Sequence, residues 1–116
     1  MEKISFEDFK KIMSYDITKK QTCIEIHFCV DNYDDYQTSW LGKMLEGKML
    51  DRITNKVIYW FGLTEDGSQA FDFDSFEEFV NAKVFYGKSL KEIWNSVSLI
   101  SIDASDVKES LQFYLG

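Results

Sequence analysis

The chain has 116 residues, 45% of them apolar and 16% aromatic, which is enough for a single α+β domain over residues 1–116 with a core that needs no covalent staples. Two cysteines are too few for a disulfide scaffold, and no apolar run approaches the ~20 residues that span a bilayer, so a soluble protein without membrane contact is expected. A formal net charge of −7 repels phosphate backbones, which argues against nucleic-acid binding and favours a basic protein partner.

Ser5-Phe6-Glu7-Asp8 predicts a helix start, with Ser5 as cap and acidic residues in the first turn. Phe6, Phe9, Ile12 and Met13 keep helical spacing up to an end near Asp16. Thr22 to Val30 alternates, with Ile24, Ile26, Phe28 and Val30 on one face of a half-buried strand and Cys23, Glu25, His27 and Cys29 on the other. Asp31 to Ser39 reads as a polar loop. Trp40 to Asp51 contains Gly42-Lys43-Met44-Leu45 and then Gly47-Lys48-Met49-Leu50; the glycines cost about 1 kcal/mol each in a helix, and the segment reads as a short helix or irregular turn. A brief strand over Leu50–Ile53 and a turn at Thr54-Asn55-Lys56 follow.

Lys56 to Leu63 is apolar or aromatic on both alternating faces, with Val57, Tyr59, Phe61 and Leu63 on one and Ile58 and Trp60 on the other. That pattern predicts a central strand covered on both sides. Thr64-Glu65-Asp66-Gly67-Ser68 is a hairpin turn returning through Gln69–Phe73. Asp74 with Glu77 and Ser75 with Glu78 are overlapping capping boxes for a helix that buries Phe76, Phe79 and Val80. Ser89 with Glu92 opens another, whose stripe is Leu90, Ile93, Trp94 and Val97. Ser98–Asp103 reads as a strand, and Ser105 as the cap of a last helix carrying Val107, Leu111, Tyr114 and Leu115. The expected fold is α+β: a mostly antiparallel sheet of three to five strands with three or four helices packed on it.

No motif in the chain fixes a chemistry. Cys23, Glu25, His27 and Cys29 share a strand face, but alternate residues stand ~6.6 Å apart, so these donors do not converge on one metal and the two cysteines are too distant for a disulfide. Asp31-Asn32-Tyr33-Asp34-Asp35 lacks the ligand order of a calcium loop. Asp72 and Asp74 share a face as a carboxylate pair, but Asp74 is better explained as a helix cap. No catalytic residue, metal ligand or cofactor is therefore assigned.

The candidate partner-binding set is Asp31, Tyr33, Asp34, Asp35, Tyr36 and Trp40, an aromatic and acidic cluster of the kind that meets a basic surface. In its general character the chain resembles the small acidic immunity proteins that bacteria pair with toxins. The resemblance implies a cytoplasmic, non-catalytic protein-binding module that neutralises a basic partner. Two alternatives stand beside it: a small-ligand-binding or enzymatic domain with a pocket lined by Trp60, Tyr59 and Phe71, and a structural homo-oligomer joined through Trp94 or the last helix.

Overall fold

A computed structural model describes residues 1–20, 23–46, 48–49, 52–53 and 56–116. The elements in chain order are α1 (Phe6–Met13), α2 (Ile17–Lys20), β1 (Ile24–Val30), β2 (Ser39–Leu45), β3 (Lys48–Met49), β4 (Arg52–Ile53), β5 (Val57–Gly62), β6 (Ala70–Phe73), α3 (Phe76–Asn81), α4 (Leu90–Ile93), β7 (Val97–Ile102) and α5 (Val107–Leu115). Five strands form one antiparallel sheet in the order β6-β5-β2-β1-β7, and β3 pairs with β4 in a separate small hairpin. The fold is α+β, with helices packed on the sheet.

Local chemistry sets most of these boundaries. Ser5 Oγ accepts from Asp8 N at 3.0 Å, and Ser89 and Glu92 form a reciprocal capping box. At α3 the cap is Ser75, whose hydroxyl accepts from Glu78 N at 3.1 Å. Asp74, expected to cap this helix, instead pairs with Lys56 at 3.4 Å. At α5 the cap is Asp106, which accepts from Lys108 N and Glu109 N, one residue beyond the expected Ser105. The Asp-Gly turn forms as expected: Asp66 accepts from Ser68 N, and Gly67 takes φ +76°.

The helices cover one face of the sheet. Paired residues on neighbouring strands share a face, so Ile24, Lys43, Tyr59 and Phe73 form one row across β1, β2, β5 and β6, and Ile26, Leu41, Phe61 and Phe71 form the next. Phe61 stacks on Phe79 of α3 at 4.4 Å between ring centroids, Tyr59 lies 5.9 Å from Phe76, and Phe9 of α1 lies 4.4 Å from Trp94. Each such ring pair adds about 0.5–1.5 kcal/mol beyond area burial. Lys43 is the odd member of this face. It is 4% exposed, its ammonium donates to the Met13 carbonyl at 2.6 Å at the C-terminus of α1, and burial lowers its pKa, with Asp16 partly opposing.

Three expectations are corrected. Residues 40–45 are strand, not helix or turn, and they form the centre of the sheet; Gly42 sits there because of a close approach described below. The strand over Lys56–Leu63 is second from the β6 edge, and among the described residues helices pack only on its Tyr59/Phe61 side; Ile58 and Trp60 are half-buried but face away from every described helix. Val97 opens β7 rather than closing a helix, because the chain tightens into a 3-10 turn over Trp94–Ser96. The expected strand start at Thr22, the strand positions Leu50 and Asp51, and the turn residues Thr54 and Asn55 lie outside the described residues.

Candidate functional site

Two surfaces combine aromatic with acidic side chains and include residues of the expected partner-binding set. The first is the β1–β2 connection. Asn32 turns the chain with φ +67°, and Asp34–Tyr36 forms a 3-10 turn. The Gln37 amide donates to the carbonyls of Val30 and Tyr33 at 2.8 and 2.7 Å, stitching the loop to the end of β1. Tyr36 is 1% exposed and belongs to the core; its hydroxyl donates to Gln69 Oε1 at 2.9 Å, and burial followed by Asp35 raises its pKa. Tyr33, Tyr36 and Tyr86 form a triangle of rings, with Tyr33 5.9 Å from Tyr36 and 6.0 Å from Tyr86, and Tyr36 5.3 Å from Tyr86. Tyr86, 63% exposed and at φ +52°, donates its hydroxyl to the Asp35 carboxylate. Asp31 pairs with Lys3 at 2.9 Å.

The six residues expected to act together therefore separate. Tyr33, Asp34 and Asp35 remain a surface group, and Asp31 stands beside them held by Lys3. Tyr36 is withdrawn into the core, because its ring fits edge-on against Phe85 at 5.3 Å. Trp40 is on β2 and points to the opposite face of the sheet from Phe28 and Phe61, the residues against which Phe85 packs. Tyr86 joins the group in their place. Its position in a turn between Phe85 and Lys88 gave no periodic signal by which to find it.

The second surface is the sheet face turned away from the helices. Its rows across β1, β2, β5 and β6 are His27, Trp40, Gly62, Ala70; then Glu25, Gly42, Trp60, Asp72; then Met44 beside Ile58 on β2 and β5. Two copies of Trp-x-Gly, at 40–42 and 60–62, are paired antiparallel, so each tryptophan occupies the register position opposite the other's glycine. The two rings use that space differently. Trp40 turns toward β1 and stacks on His27 at 4.3 Å with parallel planes, while His27 Nε2 lies 2.8 Å from Thr38 Oγ1. Trp60 lies over Gly42: a Cβ there would stand 2.9 Å from Trp60 Cζ2 and well inside contact with the Ile24 carbonyl oxygen. The indole N–H of Trp60 is buried without an acceptor among the described residues. Beyond the Met44/Ile58 row, Lys56 bonds Glu46 at 3.3 Å as well as Asp74, and these hydrogen bonds, Glu46 first, raise its pKa.

Burial, then Asp31, pushes the Cys29 thiol up, the opposite of an activated nucleophile. Among the described residues no three His, Cys, Asp or Glu side chains converge as a metal site. No described helix is long and apolar enough to cross a membrane. Tyr59 and Phe71 face the helices whereas Trp60 faces away, so those three residues line no common pocket. A cleft of about 430 Å³ lies instead between the N-terminal segment and α4, bordered by Lys3, Phe6, Lys91 and Trp94. Trp94 is 6% exposed and donates to the Ile4 carbonyl at 2.8 Å, which withdraws it from any direct contact between copies. No protein-family model, curated protein or solved structure matches the chain.

Proposed function

We propose that the chain is a non-catalytic protein-binding module that captures a basic partner, in the manner of an inhibitor or immunity protein acting in the cytoplasm of a bacterium. The observation that carries this reading is the corner formed by Tyr33, Asp34, Asp35 and Tyr86. Its two rings pack on Tyr36, which is anchored in the core, and Asp34 and Asp35 are exposed. An interface held in place before binding loses less side-chain entropy on association. Tyrosine beside carboxylates suits lysine and arginine through cation–π contacts and ion pairs, and the net charge of −7 steers such a partner in.

The test is affinity capture at low and moderate salt with the wild type, with Asp34→Lys/Asp35→Lys and with Tyr86→Ala. The expected result is a basic protein recovered in stoichiometric amount by the wild type, less at higher salt, and lost with both variants. Equal recovery by all three chains would remove the corner from the interface, and failure to retain any basic protein would remove the function.

A further inference from the structure

We propose that the helix-free face of the sheet receives an amphipathic α-helix from the partner, one whose apolar stripe is flanked on both sides by lysine or arginine. The inference rests on the reading of a basic protein partner and gives that partner a second contact, separate from the Tyr86 corner.

The two middle strands, β2 and β5, present Met44, Ile58 and Trp60, with Trp60 flattened over Gly42. Met44 is 43% exposed, and no described helix lies over this strip. The flanking strands present carboxylates: Glu25 on β1, and Asp72 on β6 with Asp74 just beyond its end. Glu46 stands past the end of β2. The cross-section is therefore acid, apolar, apolar, acid. From β1 to β6 is three strand spacings, about 14 Å. A helix with its side chains is about 10–12 Å across, so one lying along β2 and β5 would keep its stripe on the apolar strip and its margins within reach of the carboxylates.

Among the described residues the face holds four carboxylates, Glu25, Glu46, Asp72 and Asp74. The one ammonium on it among the described residues is Lys56, which is engaged by two of them. A second copy of this chain is a poor occupant, because it would bring Glu25, Asp72 and Asp74 against like charges. The opposite face already shows that this sheet seats helices, through Phe76 and Phe79 of α3 on Tyr59 and Phe61.

Two of the chain's three tryptophans lie on this face, so intrinsic fluorescence reports occupancy. The probe is a synthetic peptide of roughly 15–20 residues, long enough for measurable helicity, with a leucine stripe bordered by lysines. Two controls are a glutamate-bordered version and a scrambled peptide of the same composition. The expected result is saturable binding of the lysine-bordered peptide only, with the scrambled form at least about tenfold weaker. Binding should weaken at least about tenfold in Glu25→Lys/Asp72→Lys and in Met44→Lys, and stay within about twofold in Asp34→Lys/Asp35→Lys. Met44→Lys touches an exposed side chain, and a circular-dichroism melt checks the fold of every variant. Equal binding of the scrambled peptide, no saturable binding by the folded wild type, or no loss in the face variants would each overturn the proposal. Binding abolished by the loop variants alone would also overturn it, while leaving the basic-partner reading standing at the Tyr86 corner.

Discussion

Replacing Gly42 by alanine should destabilise the fold by about 3–5 kcal/mol, whereas the same replacement at Gly62 should stabilise it by about 0.5 kcal/mol. The two positions are equivalent in the sequence, each closing a Trp-x-Gly, and differ only in what surrounds them. At Gly42 a methyl group would overlap the Ile24 carbonyl oxygen and stand 2.9 Å from Trp60 Cζ2. Ile24 is held in the β1–β2 ladder opposite Lys43, so its backbone does not yield without losing pairing. Overpacking costs about 1–3 kcal/mol, and losing two ladder hydrogen bonds adds about 1 kcal/mol each. At Gly62 the nearest atom, Trp60 Cζ3, would be 3.9 Å away, an ordinary contact, and alanine removes the excess backbone entropy of glycine. Urea denaturation followed by circular dichroism separates the two variants, since a change in midpoint at constant slope measures the change in stability. A Gly42→Ala chain within about 1 kcal/mol of the wild type would refute the close approach and the placement of Trp60 over β2.

Four other outcomes follow from the same geometry. Lys43→Ala should cost about 2–4 kcal/mol in urea unfolding, because it removes a buried stem and the donor that holds the C-terminus of α1. Ser89→Ala should cost about 1 kcal/mol through loss of the capping box. Burial raises the phenols of Tyr36, Tyr59 and Tyr114, helped at Tyr114 by its bond to Asp103. The folded chain therefore holds these protons after the unfolded chain releases them near pH 10.0, and the stability they contribute is lost as pH rises above that value. A tyrosinate absorbance titration should show these groups ionising only as the fold is lost. At the acid end, Asp66 is held at about 2 by hydrogen bonds from Ser68 and Thr64, and Glu92 at about 2 by Lys83 and Ser89. Their contribution is present in full above the unfolded values of 3.8 and 4.5 and is lost as pH falls toward 2, so Asp66→Asn should flatten the acid limb of a melting-temperature profile.

Elements whose signal is local were legible in the sequence. The alternation of Ile24, Ile26, Phe28 and Val30, the Asp66-Gly67 turn, the cap at Ser75 and the box at Ser89 each depend on residues within a few positions of one another, and each forms; the expected Ser75/Glu78 box forms only in its Ser75-to-Glu78 N half. Residues 40–45 were not legible, because Gly42 is unfavourable in both helix and strand until Trp60 on another strand explains it. The Ile58/Trp60 face was misread for a related reason. A sheet buries a large ring on a nominally open face by laying it over a glycine, so apolar residues on both faces do not require cover on both. Val97 fits the helical stripe of Leu90, Ile93 and Trp94 and also fits a strand start, and only the tight turn over Trp94–Ser96 decides between them. In the candidate site, the acidic loop was readable from composition. The substitution of Tyr86 for Trp40 was not, since it depends on which side of the sheet each ring leaves.

The central claim is that one face of the sheet carries two tryptophans and a methionine with no described helix over them, and hydroxyl-radical footprinting of the native chain tests it most directly. The account predicts rapid modification of Met44, with 43% of its surface exposed, and measurable modification of Trp40 and Trp60, while Met13 at 0% and Trp94 at 6% stay protected until the chain unfolds. Protection of Met44, Trp40 and Trp60 equal to that of Met13 and Trp94 would mean that the face is covered, and would contradict the account.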